Sequence, residues 1–318
     1  MDEQGVELVV ALGRHLQSSQ YEFITVTPMT HQRVLRNLGI LVARDLRDAF
    51  GWNLPFHADL LPVGLWEALF AGGVLEEAGE GCYRSTLRFS TLGSDLYAHS
   101  GYPTTQEDSV FFGPDTYRFA ALVAGELAAL PLKAGSRILD MGCGGGPGGL
   151  AAVRASFAPV RELVLADINP RALALSRANA RLAQLHERCA IVQSDLFSQV
   201  SGEFDLIVSN PPYLVDADQR TYRHGGGDYG EGLSRRILEQ SIAHLAPGGR
   251  LILYTGSAVV RGVDPFSEWA ARTTVAAGCG FVRREIDPDV FGEELDRDVY
   301  RDVDRIAAIG VVVQKACE

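Results

Sequence analysis

Apolar residues recur at helical spacing through the first third of the chain. Repeats of three and four positions predict helices over Val6–Leu16, His31–Phe50 and Leu60–Ala71. Two short runs rich in strand-forming residues then flank Gly79–Gly81, which is the pattern of a β-hairpin. This order of elements predicts a smaller, mainly helical domain over residues 1–115.

The pattern changes after residues 102–117, a polar segment with two prolines that we interpret as a connector. A helix is predicted over Arg118–Leu130, and from Ala134 onward short apolar runs alternate with amphipathic segments. The predicted strands are Arg137–Asp140, Glu162–Asp167, Ala190–Gln193, Phe204–Ser209, Arg250–Tyr254, Phe281–Glu285 and Ile306–Val313. The predicted helices between them are Leu150–Phe157, Arg171–Leu185, Leu233–Leu245 and Pro265–Ala277. We therefore expect a second domain over residues 116–318 with a seven-stranded, mostly parallel, doubly wound Rossmann-like sheet.

The most distinctive segment joins the first predicted strand of this second domain to its first helix. Arg137–Leu150 reads Arg-Ile-Leu-Asp-Met-Gly-Cys-Gly-Gly-Gly-Pro-Gly-Gly-Leu. A strand, a tight glycine turn and a helix form the first unit of a nucleotide-binding α/β fold. Glycine lets a ligand approach the bare backbone there, whereas a flexible linker would not be framed by a buried strand and a helix.

Three acidic residues at predicted strand ends narrow the choice of ligand. The segment 144–149 matches the dinucleotide pattern G-x-G-x-x-G, so an NAD-dependent dehydrogenase is one alternative. Asp140 precedes the turn, where a carboxylate suits an ammonium group and would repel a pyrophosphate. Asp167 ends the second strand and can accept hydrogen bonds from both ribose hydroxyls. Asp195 follows the third strand and can accept the amino group of an adenine.

Ammonium, ribose and adenine without a phosphate together describe S-adenosylmethionine. With these motifs the chain resembles the class I S-adenosylmethionine-dependent methyltransferases over roughly Pro114–Val313. The resemblance implies S-adenosylmethionine as the cofactor, with S-adenosylhomocysteine as the product. The residues expected to bind it are Thr116, Asp140, Gly142, Gly144, Asp167, Ile168, Asp195, Leu196 and Asn210.

A second motif, Asn210-Pro211-Pro212-Tyr213, follows the fourth predicted strand. It leaves the carboxyl end of that strand, where open α/β sheets bind their ligands. Methyl transfer to nitrogen needs the nitrogen lone pair in line with the S–CH3 bond, at about 3–3.5 Å. The Asn210 side-chain carbonyl and the Pro211 backbone carbonyl can accept two N–H groups and orient the nitrogen. Tyr213 can stack on a flat substrate, so Asn210, Pro211 and Tyr213 are the catalytic candidates.

This tetrapeptide resembles that of amino-methyltransferases acting on planar nitrogens, especially the release-factor glutamine methyltransferases. Pro114-Asp115-Thr116 is similar to the segment that covers the cofactor in that family. The hairpin and the loop at residues 214–232 depart from it. We expect a protein glutamine or a small secondary metabolite as the methyl acceptor, with an RNA or DNA amino group as a further alternative. His224 in the loop is either an acid or base, or simply a solvated side chain.

Charge bears on the choice of partner. The net charge is −11, and residues 1–115 hold 15 acids, 7 arginines and no lysine. Nucleic-acid binding is therefore disfavoured, although helices followed by a small hairpin are winged-helix-like. We interpret the N-terminal domain as a lid, a docking surface or a homodimer contact. A non-catalytic, cofactor-sensing winged-helix regulator is the alternative from outside the enzymes.

Composition sets the remaining expectations. With 47% hydrophobic and 22% charged residues, the chain has the make-up of a globular protein. It shows neither an apolar run of the roughly 20 residues that span a membrane nor a secretory signal, so we expect a cytoplasmic protein. The five cysteines form no C-x-x-C pair, so no structural metal is expected.

Overall fold

The computed structural model describes residues 1–216, 220 and 222–317. The α-helices are α1 Glu3–Ser18, α2 Pro28–Leu38, α3 Leu46–Phe50, α4 Val63–Ala71, α5 Pro114–Ala129, α6 Pro147–Ala155, α7 Pro170–Leu182, α8 Gly232–His244 and α9 Pro265–Ala276. The strands are β1 Phe56–His57, β2 Leu75–Glu77, β3 Cys82–Ser85, β4 Leu87–Leu92, β5 Asp95–Ser100, β6 Arg137–Met141, β7 Glu162–Asp167, β8 Cys189–Gln193, β9 Phe204–Ser209, β10 Leu245–Val260, β11 Gly280–Asp287 and β12 Val303–Gln314. Within these described residues, no helix is long and apolar enough to cross a membrane.

The chain divides into two compact units. The first comprises Met1–Tyr117 together with two later segments, Gly144–Pro147 and Pro170–Glu187. The second contains the rest of the described chain. Helix α7 therefore belongs with the N-terminal helices although it lies far along the sequence. The predicted domain boundary at residue 115 stays a prediction.

Helix α1 packs on helix α7 in the core of the first unit. The helix begins after Asp2, whose carboxylate accepts a hydrogen bond from the Gly5 amide at 2.9 Å. Leu16 is fully buried. A Cβ on Gly13 would stand 2.6 Å from Cδ1 of Leu182, so this glycine lets the two helices approach closely. Arg181 of α7 also forms ion pairs with glutamates of α1.

The single helix predicted over His31–Phe50 is wrong, because two helices, α2 and α3, occupy this stretch. Gly39 adopts a left-handed conformation (φ +59°) and its amide bonds the Leu35 carbonyl, which ends α2. Asp45 then caps α3 by accepting the Asp48 amide at 2.8 Å. Residues favouring caps therefore override the continuous apolar spacing between the two helices.

Two antiparallel hairpins follow in the first unit. The predicted hairpin is confirmed, since β2 pairs with β3 from Leu75 opposite Ser85 to Glu77 opposite Tyr83. Strand β1 adds to β3 on its other side. A second hairpin, β4 with β5, was not predicted, and all six residues of β5 are buried. The winged-helix-like arrangement of this unit stays a prediction.

The second unit contains the predicted seven-stranded, mostly parallel sheet. The strand order is β11-β12-β10-β9-β6-β7-β8, and only β12 runs antiparallel to its neighbours. Strand β10 extends well beyond the predicted Arg250–Tyr254 because β12 pairs along it up to Val260. The order reverses between β6 and β9. Ligands of open α/β sheets bind at such a point, outside the carboxyl ends of the strands.

Candidate cofactor and acceptor site

The ends of β6, β7 and β9 bring several predicted site residues to one edge of the sheet. The amides of Gly142 and Cys143 both donate to the Ala166 carbonyl, at 2.9 and 3.0 Å. The Ser209 hydroxyl donates to the Met141 carbonyl at 2.7 Å. These bonds continue the strand pairing for one further step. Gly142, Asp167 and Asn210, which follow or end these strands, therefore lie at the same edge.

Asp140 is a buried carboxyl at this edge. Its Oδ2 accepts the Gly149 amide at 2.7 Å, at the start of α6. A Cβ on Gly149 would lie 2.8 Å from Leu163 and 3.0 Å from Asp140, so only glycine allows this close packing. The pKa of Asp140 is raised to about 7, mainly by burial; the Gly149 hydrogen bond lowers this pKa, and the nearby charge of Asp167 raises it. A buried, weakly compensated carboxyl favours a cationic ligand.

Gly142 and Gly144 both adopt positive φ, +68° and +54°, which suits glycine. Open space lies where a Cβ would stand at either position. Gly144 belongs to the first unit, where its carbonyl accepts the Ser176 hydroxyl at 2.7 Å. Thr116 also belongs to that unit and is buried, with its hydroxyl accepting the Gly113 amide at 3.2 Å. Thr116 thus helps to begin α5.

Asp167 and Ile168 follow one another at the end of β7. The Asp167 carboxylate is half-buried and accepts the Asn169 amide at 2.8 Å, which shapes the turn into α7. Ile168 is 51% exposed, so its apolar side chain is open to a ligand. An acid beside an open apolar surface suits a ribose with an adjoining flat ring.

Asp195 and Leu196 differ in exposure. Asp195 is exposed, and its carboxylate lies 3.7 Å from Arg236. Leu196 is buried and left-handed (φ +49°), a strained conformation for this residue. The Ser194 hydroxyl donates to its carbonyl at 2.5 Å and holds the turn. Phe197 is buried and stacks on His244 at 4.4 Å, so its ring faces protein.

The acceptor motif is packed along its length. Asn210 is half-buried and Pro211 is buried. Tyr213 is 8% exposed, and its ring lies 6.3 Å from Tyr254 and 5.9 Å from Phe291. A Cβ on Gly256 would stand 2.3 Å from Cδ2 of Tyr213, so the ring rests on bare backbone. Because the Tyr213 ring is packed against protein, stacking on a substrate stays a prediction.

The residues after the motif are anchored by contacts that the sequence did not reveal. The Val215 amide donates to the Tyr300 hydroxyl at 2.9 Å, and Arg297 donates to the Val215 carbonyl. Buried Glu294 accepts from both Arg223 and Arg297. In the sequence, the stretch 287–304 holds two arginines among eight acids, and this mixture of charges was the signal that could have indicated ion pairs.

A second carboxylate holds several of the described residues between 214 and 232. Asp216 is buried. Its carboxylate accepts hydrogen bonds from the backbone amide and from the guanidinium of Arg220. The Arg220 hydrogen bond lowers the pKa of Asp216 to about 2. Nδ1 of His224 accepts the Asp216 amide at 3.1 Å, which is a structural contact. Residues 217–219 and 221 of this loop lie outside the described residues.

Across the part of the chain that the structure describes, no group of three histidine, cysteine or acidic side chains is placed to hold a metal ion.

Similarity to known proteins agrees with this geometry. The methyltransferase small domain family matches residues 124–259. A release factor glutamine methyltransferase of Deinococcus radiodurans is 39% identical over 127 residues, covering 37% of this chain and 44% of that protein. A ribosomal RNA small subunit methyltransferase C of Pasteurella multocida is 31% identical over 173 residues, covering 54% and 48%. The chain thus spans about half the length of these relatives or less.

The solved structure of a putative transferase from Pyrococcus horikoshii has the same fold. It superposes with a TM-score of 0.51 at 14% identity, covering 80% of this chain and 83% of the other. The family match and the methyltransferase names of the relatives agree with the resemblance to methyltransferases that the sequence motifs indicate. Residues 124–259 thus match the methyltransferase small domain family, on the Rossmann-like sheet that the second unit contains.

Proposed function

We propose that the protein transfers a methyl group from S-adenosylmethionine to a planar amide or amino nitrogen. The observation that carries this proposal is the position of Asn210 and Pro211. They directly follow β9, at the sheet edge where β6 ends and where Asp140, its last residue but one, is buried. A cation-favouring carboxyl and two carbonyl acceptors at one sheet edge suit a sulfonium cofactor with a nitrogen acceptor.

The residues at this edge fit the cofactor. Asp140 favours its ammonium group, the open backbone at Gly142 admits its chain, and Asp167 with exposed Ile168 suits its ribose and adenine. When bound, S-adenosylmethionine supplies a methyl group on a positively charged sulfur. Binding roles for Gly144, Thr116, Asp195 and Leu196 are part of the proposal and rest on the sequence motifs.

The acceptor residues orient a nitrogen rather than deprotonate it. The carbonyl oxygens of Asn210 and Pro211 accept its N–H groups and turn its lone pair outward. They also stabilise the positive charge that develops on the nitrogen. No strong base is needed, because the methylated nitrogen can release its proton to water afterwards. This assigns His224 no catalytic step, which agrees with its backbone contact to Asp216.

We propose a glutamine side chain of a protein as the acceptor. The support is the relative named a release factor glutamine methyltransferase and the acidic surface of the chain, whose net charge is −11. The relative named a ribosomal RNA methyltransferase supports a second candidate, an amino group of ribosomal RNA. A small metabolite remains the third alternative.

The test supplies S-adenosylmethionine labelled on its methyl group to the purified chain. Release factors, small ribosomal subunits and isolated ribosomal RNA are offered separately as acceptors. Label in a release factor, at a glutamine located by mass spectrometry, is the expected result. Label in RNA alone would replace the glutamine proposal with the second candidate.

Asn210→Ala decides whether the proposed motif performs the transfer. We expect this variant to lose at least a hundredfold in turnover, while its affinity for S-adenosylhomocysteine, measured by calorimetry, changes little. Asp205→Asn, at a half-buried position in β9, the strand that precedes Asn210, is the control. Unchanged turnover in Asn210→Ala would refute the mechanism.

A further inference from the structure

Helix α4 of the first unit is apolar on nearly every side. Glu67 is the only polar side chain among its nine residues. Leu69 is fully buried, but Val63 is 71% exposed and Phe70 is 37% exposed. A surface helix normally turns a polar face to water, so α4 has an apolar face without a cover in the first unit.

Aromatic rings extend this face onto the neighbouring hairpin. Trp66 lies parallel to Phe70, with ring centroids 5.7 Å apart and planes 5° apart. Tyr83 of β3 meets both rings edge-on, at 5.0 and 5.3 Å. The indole Nε1 of Trp66 has no hydrogen-bond acceptor among the described residues, although a covered indole N–H normally has one. We call Val63, Trp66, Phe70 and Tyr83 the aromatic face.

Acidic side chains border the aromatic face. Glu67 is one turn from Val63 and from Phe70, and therefore shares their side of the helix. Glu77 lies directly opposite Tyr83 in the hairpin, so both side chains project from the same side of the strands. Both glutamates are exposed, and within the described ranges neither lies within ion-pair distance of a lysine or arginine.

We propose that the aromatic face, with Glu67 and Glu77, is a docking surface for a basic polypeptide segment that carries apolar side chains. Tryptophan, tyrosine and phenylalanine are the residues that protein interfaces favour. The uncompensated glutamates select for lysine and arginine around the apolar contact. This surface lies within the first unit and does not depend on methyl transfer.

Charge argues against the other occupants. A second copy of the chain would bring the same two glutamates and a net charge of −11 to the contact. Nucleic acid would place phosphates beside the same carboxylates, where like charges repel. A basic segment is the occupant whose charge complements both the rim and the whole chain.

The test measures binding of a labelled peptide of alternating lysine and leucine to the full chain by fluorescence anisotropy. A matched peptide with glutamate in place of lysine is the probe control. One variant combines Val63→Ser with Phe70→Ser, and a second combines Glu67→Gln with Glu77→Gln. The controls are Val275→Ser, at an exposed apolar position on α9, and Glu239→Gln with Glu293→Gln, which removes the same total charge.

We expect Val63→Ser with Phe70→Ser to weaken binding of the basic peptide about tenfold or more. Glu67→Gln with Glu77→Gln should weaken it roughly 3- to 10-fold, less at high salt. The control variants should bind within about twofold of the original chain. Circular dichroism checks that each variant is folded.

Four results would overturn the proposal. They are equal binding of the acidic peptide, equal loss in the control variants, displacement of the peptide by random duplex DNA, and a dimer in sedimentation that Phe70→Ser dissociates. The last two would assign the aromatic face to nucleic acid or to a second copy of the chain.

Discussion

At the scale of single residues, the carboxyl of Asp140 links the stability of the protein to its affinity for the cofactor. Burial raises its pKa from the ordinary 3.8 to about 7, so folding favours the neutral form. The folded state binds more protons than the unfolded state between these values. The contribution of Asp140 to stability therefore falls as pH rises from about 4 to 7 and stays low above pH 7.

Asp140→Asn should remove the loss of stability that comes from ionising a buried carboxyl. The asparagine oxygen can still accept the Gly149 amide, but the side chain no longer ionises. We expect the unliganded variant to be more stable than the original chain at pH 8, by as much as ~4 kcal/mol, and to match it near pH 4. Denaturant unfolding at several pH values measures the difference. Asp195→Asn, at an exposed position, is the control and should change the unfolding free energy at pH 8 by no more than about 0.5 kcal/mol.

Asp140→Asn should also bind S-adenosylhomocysteine poorly, because the ammonium group of the ligand then lacks the only carboxylate that we propose as its partner. In the original chain, affinity should rise between pH 6 and pH 8 as Asp140 ionises. Calorimetry at the two pH values tests both statements. Affinity that is independent of pH, together with tight binding by Asp140→Asn, would move the ammonium site elsewhere.

Gly256→Ala tests how tightly the Tyr213 ring is packed. The new Cβ would stand 2.3 Å from the ring, which is buried and cannot simply swing away. We expect a loss of about 1–3 kcal/mol in unfolding free energy and a larger loss in methyl transfer than in cofactor affinity. Gly125→Ala, in α5 where a Cβ meets nothing within 4 Å, should be neutral or slightly stabilising. Equal stability of the two variants would show that the Tyr213 ring is loosely held.

At the scale of elements, the sheet was predictable because each of its strands is bounded by turn residues. The apolar runs ending at Asp140, Asp167 and Ser209 mark three strand ends within one residue. The β4–β5 hairpin was missed because its turn at Gly93 follows a strand that mixes Arg88 with apolar residues. The division of the second predicted helix into α2 and α3 was missed because the apolar residues keep their helical spacing across the break. The capping residues that separate the two helices do not disturb that spacing.

The positions of the predicted site residues were also predictable, but their burial was not. Parallel strands place their carboxyl ends at one edge, so the acids and Asn210 had to lie there. The packing of Tyr213 on Gly256 depends on a residue 43 positions away, and the bond between Arg223 and Glu294 joins residues 71 positions apart. Spacing along the chain carries no information about such tertiary contacts.

Glu294→Ala tests how the loop after the acceptor motif is held. Removing this buried carboxylate leaves Arg223 and Arg297 without a shared acceptor. We expect faster hydrogen exchange at Val215 and its neighbours, while amides in β6 and β9 remain protected. Glu293→Ala, at the exposed neighbouring position, should exchange as the original chain does. Uniformly faster exchange would instead mean that Glu294 supports the whole second unit.

At the scale of the whole molecule, the effect of ligands on thermal stability distinguishes S-adenosylmethionine from NAD, the two cofactors with which the sequence of the glycine turn is compatible. A ligand that binds only the folded chain stabilises it by about 2.7 kcal/mol at 100 times its Kd, which raises the melting temperature by a few degrees. We expect such a shift with S-adenosylhomocysteine and none with NAD, because Asp140 at the glycine turn repels a pyrophosphate. Asp140→Asn is the control for non-specific stabilisation by the ligands. The melting temperature of this variant should not change when either ligand is added. A shift with NAD that Asp140→Asn enlarges would show that the turn binds phosphate, and the cofactor assignment would then be wrong.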